Sequence, residues 1–434
     1  MTLRRRFLGF IASQEGSVTF MSLLFFVALG MIGGLALDFT SVIAARTQLQ
    51  VAADVAAHGA LYHRETYDAD QSKAKAIELA QAGMPSGKFG DVLTTEDISF
   101  GYWDYDDQVF SIDETSRSAV LVTTSRSRSR SNSVSTYLLR WAGIYDFDVV
   151  TQAVFVAYRP ACFREGFVAE EVVDIQSNNS LSKGFCIHSN TYVSVNQNNT
   201  YEPGTVVSMP DENDIDLPKS GFDKNAGLEE ALHSAAYRMR IISDIEPLIH
   251  ALSTGDENVL PDYITNPSPL HLSGGNFSEV DFPEGRIYFL GCNQNTRISG
   301  AAPIARVVII ADCEVSFGQG TILEDVVIAN ASTSLKSFNA PSSFQIGRDD
   351  SCSEGGGAQL ITRGGVSFAS GLRLYGGQIL AERAVQFSAN ADGVEGASVV
   401  SGETIDGTSN TTMGFCNGSG MEDNFEADYF RLAT

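Results

Sequence analysis

Two adjacent carboxylates are the residues in this chain that most invite a catalytic reading. Asp349 and Asp350 stand side by side in Gly347-Arg348-Asp349-Asp350. Paired carboxyl groups can serve as general acid and general base on a glycosidic bond. No Gly-His-Gly and no Arg-Ile-Lys element accompanies them, and they precede Cys352 in a Gly-rich stretch. A polar turn is therefore the expected role. The six histidines (His58, His63, His188, His233, His250 and His271) are scattered, and His58 and His63 lie five apart, too far round a helix for an i, i+4 metal pair. There is no G-x-S-x-G nucleophile elbow and no phosphate-cradling glycine loop. Asp113-Glu-Thr-Ser-Arg-Ser departs from a D-x-S-x-S metal site at Thr115. Neither a catalytic residue, nor a metal, nor a cofactor is expected.

Six cysteines carry the remaining chemistry: Cys162, Cys186, Cys292, Cys313, Cys352 and Cys416. None forms a C-x-x-C pair, the spacings are long, and no histidine stands in a ligand pattern, which argues against zinc. An even number in an exported domain points to disulfides, with 15 possible connectivities. Pairing in sequence order is the expected one if neighbours along the chain are also neighbours in space.

The elements that must position these residues begin with an anchor. Residues 17–37 carry no charge. At about 1.5 Å per residue they make a helix of roughly 30 Å, the thickness of a bilayer's apolar core. Arg4, Arg5 and Arg6 precede it, which predicts a cytoplasmic N-terminal segment (residues 1–16) and an exported body. The run is longer than a signal-peptide core and lacks an A-x-A step, so it reads as a retained anchor. Within it, Gly30 and Gly34 form a GxxxG step that would let another helix pack closely. Leu49, Ala52, Ala53, Ala56, Ala60 and Leu61 continue a narrow small-residue stripe, so helix–helix association is expected. A break near residues 65–70 and a second helix over 71–82, stopped by Gly83 and Pro85, follow.

Residues 90–158 read as a small α+β domain. A hairpin turns at residues 104–107, strands alternate by two, and STYLLRWAGI reads as a short amphipathic helix. Arg126, Arg128 and Arg130 recur at period two, on one solvated face of a strand or at an edge blunted by charge. The net charge is −24 over 434 residues, so nucleic acid is excluded as a partner.

Residues 159–420 are rich in Gly, Asn and Ser, with short β-branched runs. Ile175-Gln-Ser-Asn-Asn-Ser echoes at Val195, and Val307-Val-Ile-Ile-Ala at Val326. Val315-Ser-Phe-Gly returns at Val366 and again at Val385. A period near 20 with Gly/Asn turns predicts a parallel β-helix, each coil burying its inward residues only by stacking on the next. Asn at equivalent turns would form ladders. An amphipathic helical stretch over 227–252 would cap or pack on it, and residues 421–434 would form a tail or short cap.

The N-terminal third resembles the TadE/TadG-like proteins of the tight-adherence (Flp) pilus assembly system. The likeness lies in Glu15-Gly16-Ser17-Val18 opening the apolar run, Ala36-Leu37-Asp38-Phe39 closing it, and Gln48-Leu-Gln50-Val-Ala-Ala-Asp54 beyond. Ile98-Ser-Phe-Gly-Tyr-Trp103 and Tyr137-Leu-Leu-Arg-Trp-Ala-Gly143 extend it to about residue 158. Two departures stand out: there is no von Willebrand A metal site, and Met21 stands where TadE-type pseudopilins carry a processing Glu. The resemblance implies a structural component of pilus assembly in a bacterial inner membrane. Its body would lie in the periplasm or at the cell surface. Its partners would be other assembly proteins or pseudopilins, or further copies of itself in a homo-oligomer through the membrane helix. The rival expectation is a membrane-tethered β-helix that binds or cleaves polysaccharide.

Overall fold

The computed structural model describes residues 17–292, 296–387, 393–407 and 409–433. They form two compact units: one comprises the chain through Tyr158 together with the segment from Asp428, the other is Arg159–Ala427.

The first unit is built on one helix, Ser17–Arg64. It is long and apolar enough to cross a membrane, and Phe20, Phe26, Leu29 and Ile32 are exposed along its first half. Beyond Ala45 it changes character, burying Leu49, Ala52, Ala53, Ala56, Ala60 and Leu61. A second helix, Ala69–Gly83, follows the expected break and is opened by Asp68, whose carboxylate accepts from the Gln71 N–H at 2.8 Å. A five-stranded antiparallel sheet completes the unit, in the order Val109–Ile112, Ile98–Asp104, Ala119–Arg126, Val149–Tyr158, Tyr429–Leu432.

The alanine stripe is occupied within the chain. The backbones that approach it closely are its own second helix, through Ala76 and Ala80, and its own sheet, through Phe100, Val120, Val122 and Ala153. Leu79 is packed so tightly over Gly59 that a Cβ there would collide with it at 2.1 Å. The expected tail is also corrected. Its last residues are an edge strand, with Tyr429 paired to Tyr158 and Leu432 to Phe155. The second unit is thus inserted between two neighbouring strands of the first, and it runs to Ala427 rather than 420.

The second unit is mainly β, with its strands in parallel register. The sequence echoes mark that register: Val195 pairs with Ile175, Val307 with Val326, and Val366 with Val385. Val315 and Val366 are bridged by Phe338, which pairs with both. The stacking order departs from chain order. The strand Gly166–Ala169 is flanked by Cys186–Ser189 on one side and by Gly393–Ser401 on the other. The chain therefore starts mid-stack, builds outward to Leu232–Ser234, crosses to the far edge at Asn266–Ser273, and stacks back to meet its own beginning. The crossing carries two short helices, Arg240–Ser243 and Ile245–Thr254, in place of the single amphipathic helix expected over 227–252. Ile245, Leu248, Ile249 and Leu252 are buried on the stack.

Two side-chain ladders run along the stacked parallel strands. Asn199 Oδ1 accepts from the Asn179 N–H at 2.8 Å, Asn225 Oδ1 from the Asn199 N–H at 3.1 Å, and Asn179 Oδ1 from the Thr411 N–H at 3.1 Å. Each buried amide thereby satisfies a backbone donor of the next coil. Beside them, Asn178, Asn198 and Asn410 hold positive φ (66°, 66° and 56°), a conformation that Asn tolerates better than most residues. Inside, phenylalanines stack from coil to coil, with ring centroids 4.3 Å apart for Phe317–Phe344 and 5.3 Å for Phe344–Phe368. The disulfides join Cys162 to Cys186, Cys292 to Cys313 and Cys352 to Cys416, the sequence-order pairing.

Phe344 is fully buried between two ring partners. Phe344→Ala should lower the stability of the second unit by about 3–5 kcal/mol. This is measured by denaturant unfolding of the full chain, and a loss below about 1 kcal/mol would contradict the internal stack.

Candidate functional site

Where the apolar run of the long helix ends, Asp38 is fully buried. A carboxylate at the edge of an uncharged stretch must find donors or be neutralised. Asp38 finds three. Its oxygens accept the backbone N–H groups of Tyr137 at 2.5 Å, Leu138 at 3.0 Å and Leu139 at 2.6 Å. These are the free donors at the start of a single 3-10 turn, Leu139–Ala142. The segment read as an amphipathic helix is this turn, and Trp141 on it is 88% exposed.

About three turns further along the helix, Gln50 makes a second link. Its amide donates to Asp54 Oδ1 at 2.9 Å and to the Gln152 carbonyl at 3.0 Å, so Asp54 holds Gln50 onto the sheet strand. Leu49 O accepts from the buried Thr124 hydroxyl at 2.9 Å, and that hydroxyl lies 2.8 Å from Thr151 Oγ1. Asp38, Gln50 and Asp54 thus form one functional row that fastens the long helix to the small sheet domain. Their hydrogen-bond partners are backbone groups or one another, so each holds the helix to the small domain. Gly16, the remaining motif residue, lies outside the described residues.

The two glycines of the GxxxG step face different surroundings. Gly30 faces open space, whereas Leu138 lies over Gly34 so closely that a Cβ there would meet the Leu138 Cβ at 2.8 Å. Sequence reasoning missed this contact because the Leu138 loop is about a hundred residues downstream.

The arginine run is not one strand face. The strand ends at Arg126, and Arg128–Arg130 is a 3-10 turn. Arg128 pairs with Asp146, and Arg130 reaches both oxygens of Asp97 at 2.6 and 2.7 Å. Three charges at strand spacing would repel along one face, and bending the chain gives each its own partner. Burial opposes ionisation of Asp97, but hydrogen bonds from Arg130 and from the Thr94 hydroxyl and N–H outweigh it. They hold the carboxyl below the usual carboxylate range.

In the second unit, buried Glu165 repeats the carboxylate device. It accepts from the N–H groups of Cys416 at 2.6 Å and Gly418 at 3.0 Å, tying the first coil to the last beside the Cys352–Cys416 disulfide. Asp350 is held by Arg348 at 2.6 Å and by the Ser353 N–H at 3.0 Å, in a turn that contains Cys352. A cleft of about 770 Å³ runs beside the helix Ile245–Thr254, lined among others by Glu246, His250, His271, Phe289 and Asp312. His188, by contrast, is buried between Ser208 Oγ at 2.8 Å and Asn190 Oδ1 at 3.0 Å, and burial pushes its pKa down. Exposed large apolar side chains among the unit's described residues are the isolated Tyr192, Phe222, Leu270, Val280 and Leu335.

The long helix lies within a stretch that matches a known family model. Residues 16–71 match the family model described as Flp pilus-assembly TadE/G-like, which spans the long helix with Asp38, Gln50 and Asp54. The larger part of the chain places it in a second family. Residues 166–417 match the model of a domain of unknown function (DUF7867), and the chain belongs to that family. No curated protein matches the chain, and no solved structure matches it.

Asp97 supplies a pH test. Its carboxyl is depressed in the folded state, so its contribution is present above the ordinary value of about 3.9 and lost as pH falls through the lower folded value. Asp97→Asn should cost about 1–2 kcal/mol at pH 7, with the difference from the native chain closing in acid. Thermal unfolding of the full chain in detergent at both pH values measures it. A difference independent of pH would contradict the ion pair.

Proposed function

We propose that this chain is a non-enzymatic structural component in the assembly of a Flp-type pilus. The helix over residues 17–37 anchors it in the bacterial inner membrane, with its N-terminal segment in the cytoplasm. The second unit, folded as a parallel β-helix, presents a surface in the periplasm or at the cell surface to other assembly proteins or pseudopilins. The observation that carries this reading is the coincidence of the TadE/G-like match with the clasped helix: the matched residues are those that hold the anchor to the sheet. The exposed Gly30 side of the helix is the face available for packing against other membrane helices.

A carbohydrate groove would call for a row of exposed aromatics and converging free carboxylates. The exposed apolar residues of the second unit are scattered and Asp350 is engaged by Arg348, so the assembly reading is preferred.

The test is an in-frame deletion with surface pili counted by electron microscopy, beside a complemented strain. Loss or shortening of pili, restored by the native gene, is the expected outcome. Normal piliation in the deletion strain would overturn the proposal.

A further inference from the structure

The turn held by Asp38 carries an unusual surface. Tyr137, Leu138, Trp141, Ile144 and Tyr145 are all exposed, in a segment only nine residues long. A monomeric soluble domain seldom leaves such a patch uncovered. The rings sit on a loop that the clasp fixes in place, so they are not free to fold away.

Their position along the long helix identifies what covers them. Leu138 packs over Gly34, one turn before Asp38. At 1.5 Å per residue, Gly34 lies about 6 Å before Asp38 along the helix, so Leu138 packs within the uncharged run. Side chains buried about 5–10 Å into the headgroup and acyl boundary are those of interfacial anchors. Tyr and Trp, with an apolar body and a polar tip, concentrate at that depth. Ser41 of the helix, Arg126, and Tyr137 and Arg140 of the loop line a cleft of about 340 Å³. Arg126 is held there by the carbonyls of Asn132 at 2.9 Å and Ser133 at 3.3 Å, so Arg140 is the guanidinium offered to a lipid phosphate, in a chain whose net charge of −24 would otherwise keep it off an anionic surface.

We propose that residues 137–145 form a second, shallow membrane contact. The loop lies in the interface of the same bilayer that residues 17–37 cross, its rings at the acyl boundary and Arg140 toward the phosphates. The inference rests on the membrane-spanning reading given above. The two contacts, a spanning helix and a fixed interfacial loop, would together set the rotation and height of the small domain at the membrane surface. A single helix leaves that rotation undetermined.

The chain has two tryptophans, Trp103 and Trp141. Trp103→Phe leaves Trp141 as the sole reporter in the full chain. The protein is placed in nanodiscs of phosphatidylcholine and phosphatidylglycerol, where both membrane faces are open to solvent. The expected result is blue-shifted emission, quenched by lipids brominated near the glycerol and insensitive to iodide. Emission quenched by iodide would overturn the proposal. So would blue-shifted emission blind to brominated lipid, which would mean that a second protein surface covers the loop. A companion chain carrying Phe26→Trp, with Trp103→Phe and Trp141→Phe, reports on the span through lipids brominated deep in the acyl chain. Loss of quenching at Trp141 alone removes the loop contact and leaves the span. Loss at both positions removes the span and the loop contact with it.

Discussion

A buried carboxylate must be met by donors, and Asp38 is met by three backbone N–H groups from a loop about a hundred residues away. The rest of the first unit is arranged around that requirement. The loop has to be a turn with free N–H groups at its start, which Leu139–Ala142 provides. The helix has to be smooth where the loop crosses it, which Gly34 provides by leaving room for Leu138. Further along, the helix has to lie close against the sheet, which the alanine stripe allows. Gln50, steadied by Asp54, then ties the sheet backbone to the helix at a second height. Two ties separated along one helix prevent the sheet from swinging about it.

The second unit answers a different constraint. Stacked parallel strands leave polar turn groups and buried side chains that only the neighbouring layer can satisfy. Asn ladders serve the first need and stacked phenylalanines the second. A stack built strictly in chain order would place the two ends of the unit at opposite extremes. By starting mid-stack and returning to Gly166–Ala169, the chain brings its ends together, so the unit can be inserted between adjacent strands of another sheet. Glu165 and the Cys352–Cys416 disulfide secure that closure.

Much of this was legible in the residues because local pattern and contact coincide. The helix and its break near residue 65, the hairpin at 104–107 and the near-20 echoes follow from short-range spacing, and the disulfide pairing is the one expected if neighbours along the chain are neighbours in space. What was not legible depended on distant partners. The alanine stripe announced a close neighbour but not that the neighbour was the chain's own sheet. Arg126, Arg128 and Arg130 had strand spacing, yet Asp97 and Asp146 draw the last two into a turn. The strand Tyr429–Leu432 is too short to be distinguished from a tail until Tyr158 is seen beside it. Asp38 stood out only as the residue closing an apolar run, and its donors could not be named from spacing.

Hydrogen exchange at the amides of Tyr137, Leu138 and Leu139 tests the clasp most directly. In the full chain held in detergent, all three should exchange only when the first unit unfolds, and Asp38→Ala should release them to the rate of an open loop. Exchange at the open-loop rate in the native chain would show that Asp38 does not hold this segment.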